Sequence, residues 1–125
     1  MITIELPWPL KELNPNHKCH WGTKSRKAAL YKAWCYQVAT QYRENFKHLF
    51  GHHTLAVGLN ILFVPPDKRR RDDDNMESAF KHGRDGIAAA LGIDDSRFRV
   101  TKRVAAAPVK HGKVIVTIEP MAGVQ

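Results

Sequence analysis

Alternating hydrophobic and polar residues predict four β-strands along the chain. The expected strands cover residues 1–6, 54–64, 97–107 and 113–119. Val114, Val116 and Ile118 mark one face of the last strand, whereas the second strand carries apolar side chains on much of both faces. A strand of that second kind is typically buried from two sides. His111-Gly112 predicts a turn, so we expect the final two strands to form an antiparallel hairpin.

Two stretches repeat apolar residues at steps of three or four and predict amphipathic helices. The first helix covers residues 24–49, and the second covers residues 74–91. The apolar stripe of the first consists of Leu30, Trp34, Val38, Tyr42, Phe46 and Leu49. The stripe of the second consists of Met76, Phe80, Gly83, Ile87 and Leu91. We expect both stripes to face the core.

The second helix also carries signals at its ends and on its polar face. Asp72 or Asp73 is placed to be the N-cap, and Gly92 is placed to end the helix as its C′ residue. The polar face presents Asp74, Ser78, Lys81 and Asp85, each about one turn from the next. These side chains are predicted to point away from the core.

The elements follow one another in the order β-α-β-α-β-β, which predicts an α/β or α+β fold. We expect residues 1–125 to form one domain with a single mixed sheet packed against helices. The crossovers through the two helices allow parallel pairing among the earlier strands.

The chain is strongly basic, with 20 Lys and Arg against 12 Asp and Glu and a formal net charge of +8. This balance favours nucleic acid or another anionic surface as partner. No run approaches the roughly 20 apolar residues of a membrane span, and no signal-peptide pattern is present. Cys19 and Cys35 are too few for a disulfide framework. We therefore expect a cytoplasmic protein without a membrane partner.

The charges are concentrated in residues 67–95. Lys68 and three arginines are followed at once by Asp72, Asp73 and Asp74, and the stretch closes on a second acidic pair, Asp94-Asp95. Adjacent carboxylates repel one another, and a hard cation such as Mg²⁺ would offset the repulsion. The arginines would then face phosphate groups, which they match as bidentate donors. The ordinary alternative is a solvated loop whose aspartates cap a helix.

Distance limits how these two acidic groups can meet. A helix of about 18 residues is about 27 Å long, so Asp94 and Asp95 cannot reach Asp72 along the same helix. They would have to approach through a neighbouring loop or from a second copy of the chain.

The charged stretch resembles the RusA family of Holliday-junction resolvases, which are small endodeoxyribonucleases. The resemblance rests on the run Arg69-Arg70-Arg71-Asp72-Asp73-Asp74-Asn75, on Lys81-x3-Asp85-Gly86-Ile87, and on Leu91-Gly92-Ile93-Asp94-Asp95. The opening Leu6-Pro7-Trp8-Pro9 and Asn14-Pro15-Asn16 add to it. These motifs occur in the family's order over most of the chain.

The resemblance implies a role for individual residues. The two aspartates of the family's Asp-x-Asp pattern correspond to Asp72 and Asp74, and the third catalytic aspartate corresponds to Asp95 rather than Asp94. In the family's best-known form the catalytic lysine lies three residues after the Asn, where this chain has Ser78. We assign its role to Lys81, the nearest lysine, which shares a face with Asp74 and Ser78. Asp72, Asp74 and Asp95 are thus the expected metal ligands.

The implied reaction is Mg²⁺-dependent hydrolysis of a DNA phosphodiester, with Mn²⁺ as an alternative cofactor. The implied substrate is a four-way junction cut by paired symmetric nicks, which a C₂ homodimer with two sites would deliver. Expected DNA-binding residues are Lys18, Lys24, Lys27, Lys68, Arg69, Arg70 and Arg71. Lys81 would stabilise charge on the phosphate or orient the attacking water.

Two other functions use the same residues. A junction- or branched-DNA-binding protein without catalysis would employ the aspartates as caps and ion-pair partners. A metal nuclease acting on other branched DNA, or on RNA, would share every site residue and differ only in the shape of its substrate. Composition and motifs do not separate these alternatives.

Overall fold

The computed structural model describes residues 1–50 and 56–121 and contains, within these ranges, four strands and three α-helices. The strands are β1 (Ile2–Leu6), β2 (Val57–Val64), β3 (Phe98–Val104) and β4 (Lys113–Pro120). The helices are α1 (Trp21–Thr40), α2 (Arg43–Phe50) and α3 (Asp73–Leu91), with short 3₁₀ turns at Lys11–Leu13 and Asp95–Arg97. This is an α+β fold with one mixed sheet, as predicted. Residues 54 and 55 of the expected second strand lie outside the described residues.

The helices cover one face of the sheet, and the core lies between them. The strand residues of the core alternate with more accessible ones, as in Ile2, Ile4 and Leu6 of β1. The opposite face carries the small and polar side chains that alternate with them, such as Thr3 and Thr117. No helix in the described ranges has the length and apolar content to span a membrane.

The strand order is β1-β4-β2-β3. β2 pairs with β3 in parallel, and β4 pairs with both β1 and β2 in the antiparallel sense. The predicted hairpin between the last two strands is therefore wrong, because β2 lies between them. β2 is buried over most of its length and suits a central position, whereas β3 carries the charged residues Arg99, Lys102 and Arg103 and suits an edge.

The connection from β3 to β4 passes the end of β2. The Val109 N–H donates to the Pro65 carbonyl, with 3.0 Å between nitrogen and oxygen. His111 and Gly112 both adopt positive φ angles, of 68° and 67°. The turn predicted at these two residues is present, but it sends the chain to the far side of β2 rather than back along β3.

The predicted first helix is two helices, and in α1 the fully buried positions lie one residue after the predicted stripe, whereas Phe46 of α2 is buried as predicted. The chain breaks between α1 and α2 at Gln41 and Tyr42. The buried positions are Tyr31, Cys35 and Ala39 of α1 with Phe46 and Phe50 of α2. Leu30, Trp34 and Leu49 remain 40, 38 and 53% exposed.

Close packing against α3 explains which side of α1 is buried. A Cβ atom at Gly86 would lie 2.6 Å from the Lys32 carbonyl oxygen, and one at Gly83 would lie 2.8 Å from the Tyr31 ring. The two glycines thus let α1 approach α3 along its Tyr31 side, and the Tyr31 hydroxyl donates to the Pro7 carbonyl at 2.6 Å. The larger Trp34 side chain is left near the surface.

α3 agrees with its prediction in extent, caps and buried face. Met76, Phe80, Gly83, Ile87 and Leu91 are all buried. The Asp72 side chain accepts a hydrogen bond from the Asp74 N–H at 2.8 Å and forms the N-cap. Gly92 ends the helix with φ of 73°. The helix therefore holds the start of the acidic run in a defined place.

Candidate metal and nucleic-acid site

Three carboxylates meet at the N-terminus of α3. Asp72, Asp73 and Asp74 each place one oxygen within 4.8 Å of the others, and all three residues are exposed. The positive end of the helix dipole and the N-terminal N–H groups offset part of their repulsion. An exposed group of carboxylate oxygens fits the ligand preference of Mg²⁺, which keeps several waters. The structure groups Asp73 with Asp72 and Asp74, whereas the family resemblance assigns a role only to the outer two.

Lys102 is the cation that the fold brings to this group. Its Nζ lies 2.6 Å from Asp74 Oδ1 and 2.7 Å from Glu77 Oε1. The lysine side chain is 24% exposed, against 79% for Asp74. The hydrogen bonds to Asp74 and then to Glu77 raise the pKa of Lys102 above its usual value. Lys102 is therefore charged at neutral pH and neutralises part of the acidic cluster.

Lys102 was missed by the sequence prediction, although the sequence carries a signal for it. Phe98, Val100 and Val104 lie on the face of β3 that turns towards the helices, and Lys102 occupies the same face. A charged residue in an apolar register requires a partner. The partners, Asp74 and Glu77, are on α3 and are identified only when β3 and α3 are placed side by side.

Lys81 lies away from the carboxylates. It is exposed on the polar face of α3 with Asp74 and Ser78, as predicted. Within the described residues it forms no hydrogen bond or ion pair, in contrast to Lys102. Its catalytic role stays a prediction.

Asp95 is at the other end of α3 from Asp72. The chain leaves the C-terminal end of β2 and returns along the 19 residues of α3, a length of about 28 Å. It then enters β3, which runs parallel to β2. Asp94 caps the 3₁₀ turn by accepting from the Ser96 N–H at 2.9 Å, and this hydrogen bond lowers the pKa of Asp94. Asp95 is the first residue of that turn. One chain thus brings together Asp72 and Asp74 but not Asp95.

The arginine loop before α3 is organised by Asp67. Its carboxylate contacts Arg71 Nη1 at 2.9 Å and Arg69 Nη2 at 3.2 Å. The hydrogen bond from Arg71, together with those from Arg69, holds the pKa of Asp67 well below its usual range. Arg71 also lies over the Trp8 ring, 5.5 Å from its centroid. Arg70 is exposed and has no partner among residues 1–50 and 56–121.

A cavity of about 360 Å³ lies between this loop and the N-terminal loop. Its apolar wall consists of Trp8, Pro9, Leu10, Met76 and Ala79. Its polar wall consists of Lys11, Asn14, Asn16, His17, Arg69, Arg70 and Arg71. The cavity therefore joins the start of the chain, the arginine loop and the buried face of α3.

The predicted DNA-binding lysines of the N-terminal region differ in their surroundings. Lys24 Nζ lies 3.4 Å from the Asn14 carbonyl and 3.5 Å from the His17 carbonyl, so it ties α1 to the loop. Lys18 is exposed, and Lys27 is partly buried. Trp21 is 79% exposed and stacks on His20. Lys24 therefore has a structural contact, while Lys18 presents its charge to solvent.

Comparison with known proteins places the chain in a family without adding an activity. The chain is 41% identical over 119 residues to an uncharacterized protein of Xylella fastidiosa strain Temecula1, and the match covers 94% of this chain and 76% of the relative. No protein-family model matches. The chain belongs to the same family as the Xylella protein. The resemblance to the RusA family stays a prediction carried by the quoted motifs.

Proposed function

We propose that the protein is a metal-dependent endodeoxyribonuclease that resolves four-way DNA junctions. The observation that carries the proposal is the convergence of Asp72, Asp73 and Asp74 at the start of α3, directly after an arginine loop. Carboxylates that hold Mg²⁺ next to cations that hold phosphate are the groups that phosphodiester hydrolysis needs. The net charge of +8 supports an anionic substrate.

Asp72 and Asp74 would hold the cation, each through the oxygen that its present contact leaves free. In Asp72 one oxygen caps α3, and in Asp74 one oxygen bonds Lys102. Mg²⁺ or Mn²⁺, when bound there, supplies Lewis-acid polarisation of the phosphate and lowers the pKa of a bound water. The helix cap and Lys102 fix the two carboxylates before substrate arrives, which reduces the cost of ordering the site.

Two lysines would supply positive charge to the phosphate. Lys102 is already ordered beside Asp74, and its mostly buried stem limits where its ammonium can move. Lys81 has no partner among residues 1–50 and 56–121, lies on the outer face of α3 and would have to turn towards the substrate. Both would stabilise the charge that develops on the phosphoryl oxygens. Arg70, without a protein partner in the described ranges, would bind the DNA backbone next to the break.

Asp95 would enter the site from a second chain. A C₂ dimer that sets two α3 helices antiparallel would place Asp95 of each chain against Asp72 of the other, and both sites would be equivalent. The length of α3, about 28 Å, favours this arrangement over a site made from one chain. Two equivalent sites would also match the two strands that must be nicked.

The test uses labelled four-way junction, linear duplex, flap and RNA duplex, each with Mg²⁺ or with EDTA. We expect paired nicks in the junction only when Mg²⁺ is present, and binding in both conditions. The Asp74→Asn variant should bind and not cut, with Asp85→Asn as the matched control on the same helix. Binding without cutting would identify a junction-binding protein, and preferred cutting of flap or RNA would identify a nuclease of another specificity.

A further inference from the structure

The cavity beside the arginine loop has the size and position of a ligand site next to the acidic cluster. Its volume of about 360 Å³ falls in the range of roughly 300–1,000 Å³ found for small-molecule sites. Arg71 forms part of its wall, and the next residue in the chain is Asp72. A group bound in the cavity would therefore lie close to a phosphate held by the carboxylates.

The three arginines of the loop have different freedom to bind a ligand. Arg69 and Arg71 are both held by Asp67, and Arg71 also covers the Trp8 ring. They shape the wall, and much of their hydrogen-bonding capacity is used. Arg70 is exposed and has no partner in the described part of the chain. Its whole guanidinium is therefore available for a phosphate, whereas the 80% exposed Arg69 shares its own with Asp67.

The lining of the cavity also offers amide groups, from Asn14 and Asn16. Asn14 Oδ1 accepts from the Asn16 N–H at 2.9 Å, which orients the Asn14 side chain and leaves its NH₂ group as donor. The Asn16 side chain has no hydrogen-bond partner among the described residues. Amide side chains are matched to the edges of unpaired bases, and the apolar lining formed by Trp8, Leu10 and Met76 suits the apolar ring of a base.

We propose that this cavity receives one unstacked nucleotide of the DNA, adjacent to the phosphate that is cut. The base would lie in the apolar part of the cavity beside the Arg71-covered Trp8, Asn16 would contact its edge, and Arg70 would bind its phosphate. This inference rests on the proposed function, because it takes DNA as the ligand. It adds a site that distinguishes an unpaired nucleotide from a stacked one, which the acidic cluster and the basic charge alone do not do.

The first experiment measures unstacking directly, in EDTA so that cleavage plays no part. A four-way junction carries 2-aminopurine at the branch point, and its fluorescence is recorded at saturating protein. We expect the fluorescence to rise with the wild-type protein. Asn16→Ala should lower that rise at least about fivefold with little change in Kd. Arg70→Ala should weaken binding about tenfold.

Each variant has a matched control elsewhere on the surface. Arg103→Ala removes an exposed cation from β3, away from the cavity, and should weaken binding about twofold with the full fluorescence rise retained. Asn45→Ala removes an exposed amide from α2 and should change neither quantity. If Asn16→Ala retains the full rise on saturated DNA, or Arg70→Ala weakens binding no more than Arg103→Ala, the cavity does not hold the nucleotide and the inference is wrong.

A second experiment reports from the protein side. In a Trp21→Phe, Trp34→Phe background, Trp8 is the one remaining tryptophan, and both replaced residues are exposed by 38% or more. Binding of the junction should quench Trp8 fluorescence, and a junction with abasic branch-point nucleotides should bind and leave Trp8 unquenched. Equal quenching by both DNAs would mean that phosphate alone fills the cavity.

The outcomes separate this inference from the proposed function. Cleavage with no rise in 2-aminopurine fluorescence would reject the nucleotide site and leave the nuclease. A rise that depends on Asn16, without cleavage in Mg²⁺, would establish the nucleotide site on a protein that binds DNA without cutting it. Failure to bind any of the DNAs would reject both.

Discussion

The two ends of α3 carry the same local motif with different surroundings. At the N-terminus Asp72 accepts a hydrogen bond from the N–H two residues later, and after the C-terminus Asp94 does the same. Only the N-terminal end also receives Lys102 from β3, the arginine loop and the cavity. An aspartate in an acidic run can thus serve only as a cap. It becomes a candidate for catalysis where other parts of the fold place cations and a cavity beside it.

The largest effect that this comparison predicts is on cleavage. Asp74→Asn should lower Mg²⁺-dependent cutting on the order of 10²- to 10³-fold, because a charged ligand next to the phosphate is lost. Asp94→Asn at the other end should leave cutting within about twofold of wild type, since its role is a turn cap. Single-turnover cleavage of a labelled junction measures both.

Folding and junction binding in EDTA serve as controls for this pair. Asp74→Asn should melt close to wild type, because its ion pair with Lys102 is largely solvated, and it should bind at least as tightly because a negative charge has been removed. Asp73→Asn should lose less activity than Asp74→Asn. Normal cleavage by Asp74→Asn would mean that the acidic cluster is structural.

α3 could be predicted from sequence because its signals are local. The spacing of Met76, Phe80 and Ile87 and the capping residues at each end are read within a few turns of the chain. The buried side of α1 could not be read in this way. It depends on Gly83 and Gly86 of another helix, which admit Tyr31 closely and leave Trp34 near the surface.

The strand pairing and part of the candidate site depend on contacts between distant residues. Alternation predicts that β4 is a strand but does not say that it pairs with both β1 and β2. The same limit applies to Lys102, whose partners lie 28 and 25 residues earlier. Residues from the acidic run were predictable as a cluster, whereas the cation that bonds to it required the packed fold.

The next largest effect is the change in cleavage rate and Mn²⁺ affinity when Lys102 or Lys81 is replaced. Lys102→Met should lower cleavage roughly 10- to 100-fold, because it loses both the positioning of Asp74 and a positive charge near the phosphate. The same variant should bind Mn²⁺ more tightly, since an ammonium no longer occupies an Asp74 oxygen. Cleavage rates together with Mn²⁺ titration followed by electron paramagnetic resonance measure the two changes, which have opposite signs.

Lys102→Arg and Lys81→Ala complete that test. Arginine keeps the charge and should retain more activity than methionine. Lys81→Ala should lower cleavage without changing Mn²⁺ affinity, because Lys81 contacts none of the three carboxylates. If Lys102→Met cuts normally while Lys81→Ala does not, Lys102 only joins β3 to α3.

A smaller but decisive effect is expected when two inactive chains are mixed. In a two-chain site, a dimer of one Asp74→Asn chain and one Asp95→Asn chain has one intact site. After unfolding and refolding at equal amounts, half of the dimers are mixed, so about one quarter of the wild-type sites should return. These sites should nick one strand rather than both. If refolding together restores nothing, each site belongs to one chain.

The smallest effect is a similar response of the two ends of α3 to acid, with a different response to protease. Asp67 before the helix and Asp94 after it both have a pKa below the usual value, from Arg71 in the first case and from Ser96 in the second. A carboxyl with a lowered folded-state pKa stabilises the fold fully above its ordinary value of about 3.9, and the contribution disappears as pH falls through the folded-state pKa. Asp67→Asn and Asp94→Asn should therefore each lower Tm slightly and equally at pH 5 and pH 7, and the difference from wild type should shrink below about pH 4.

At pH 7 only Asp67→Asn should increase proteolysis of the arginine loop, because only Asp67 holds Arg69 and Arg71. Equal proteolysis of both variants would show that the loop is held by its contact with Trp8 instead.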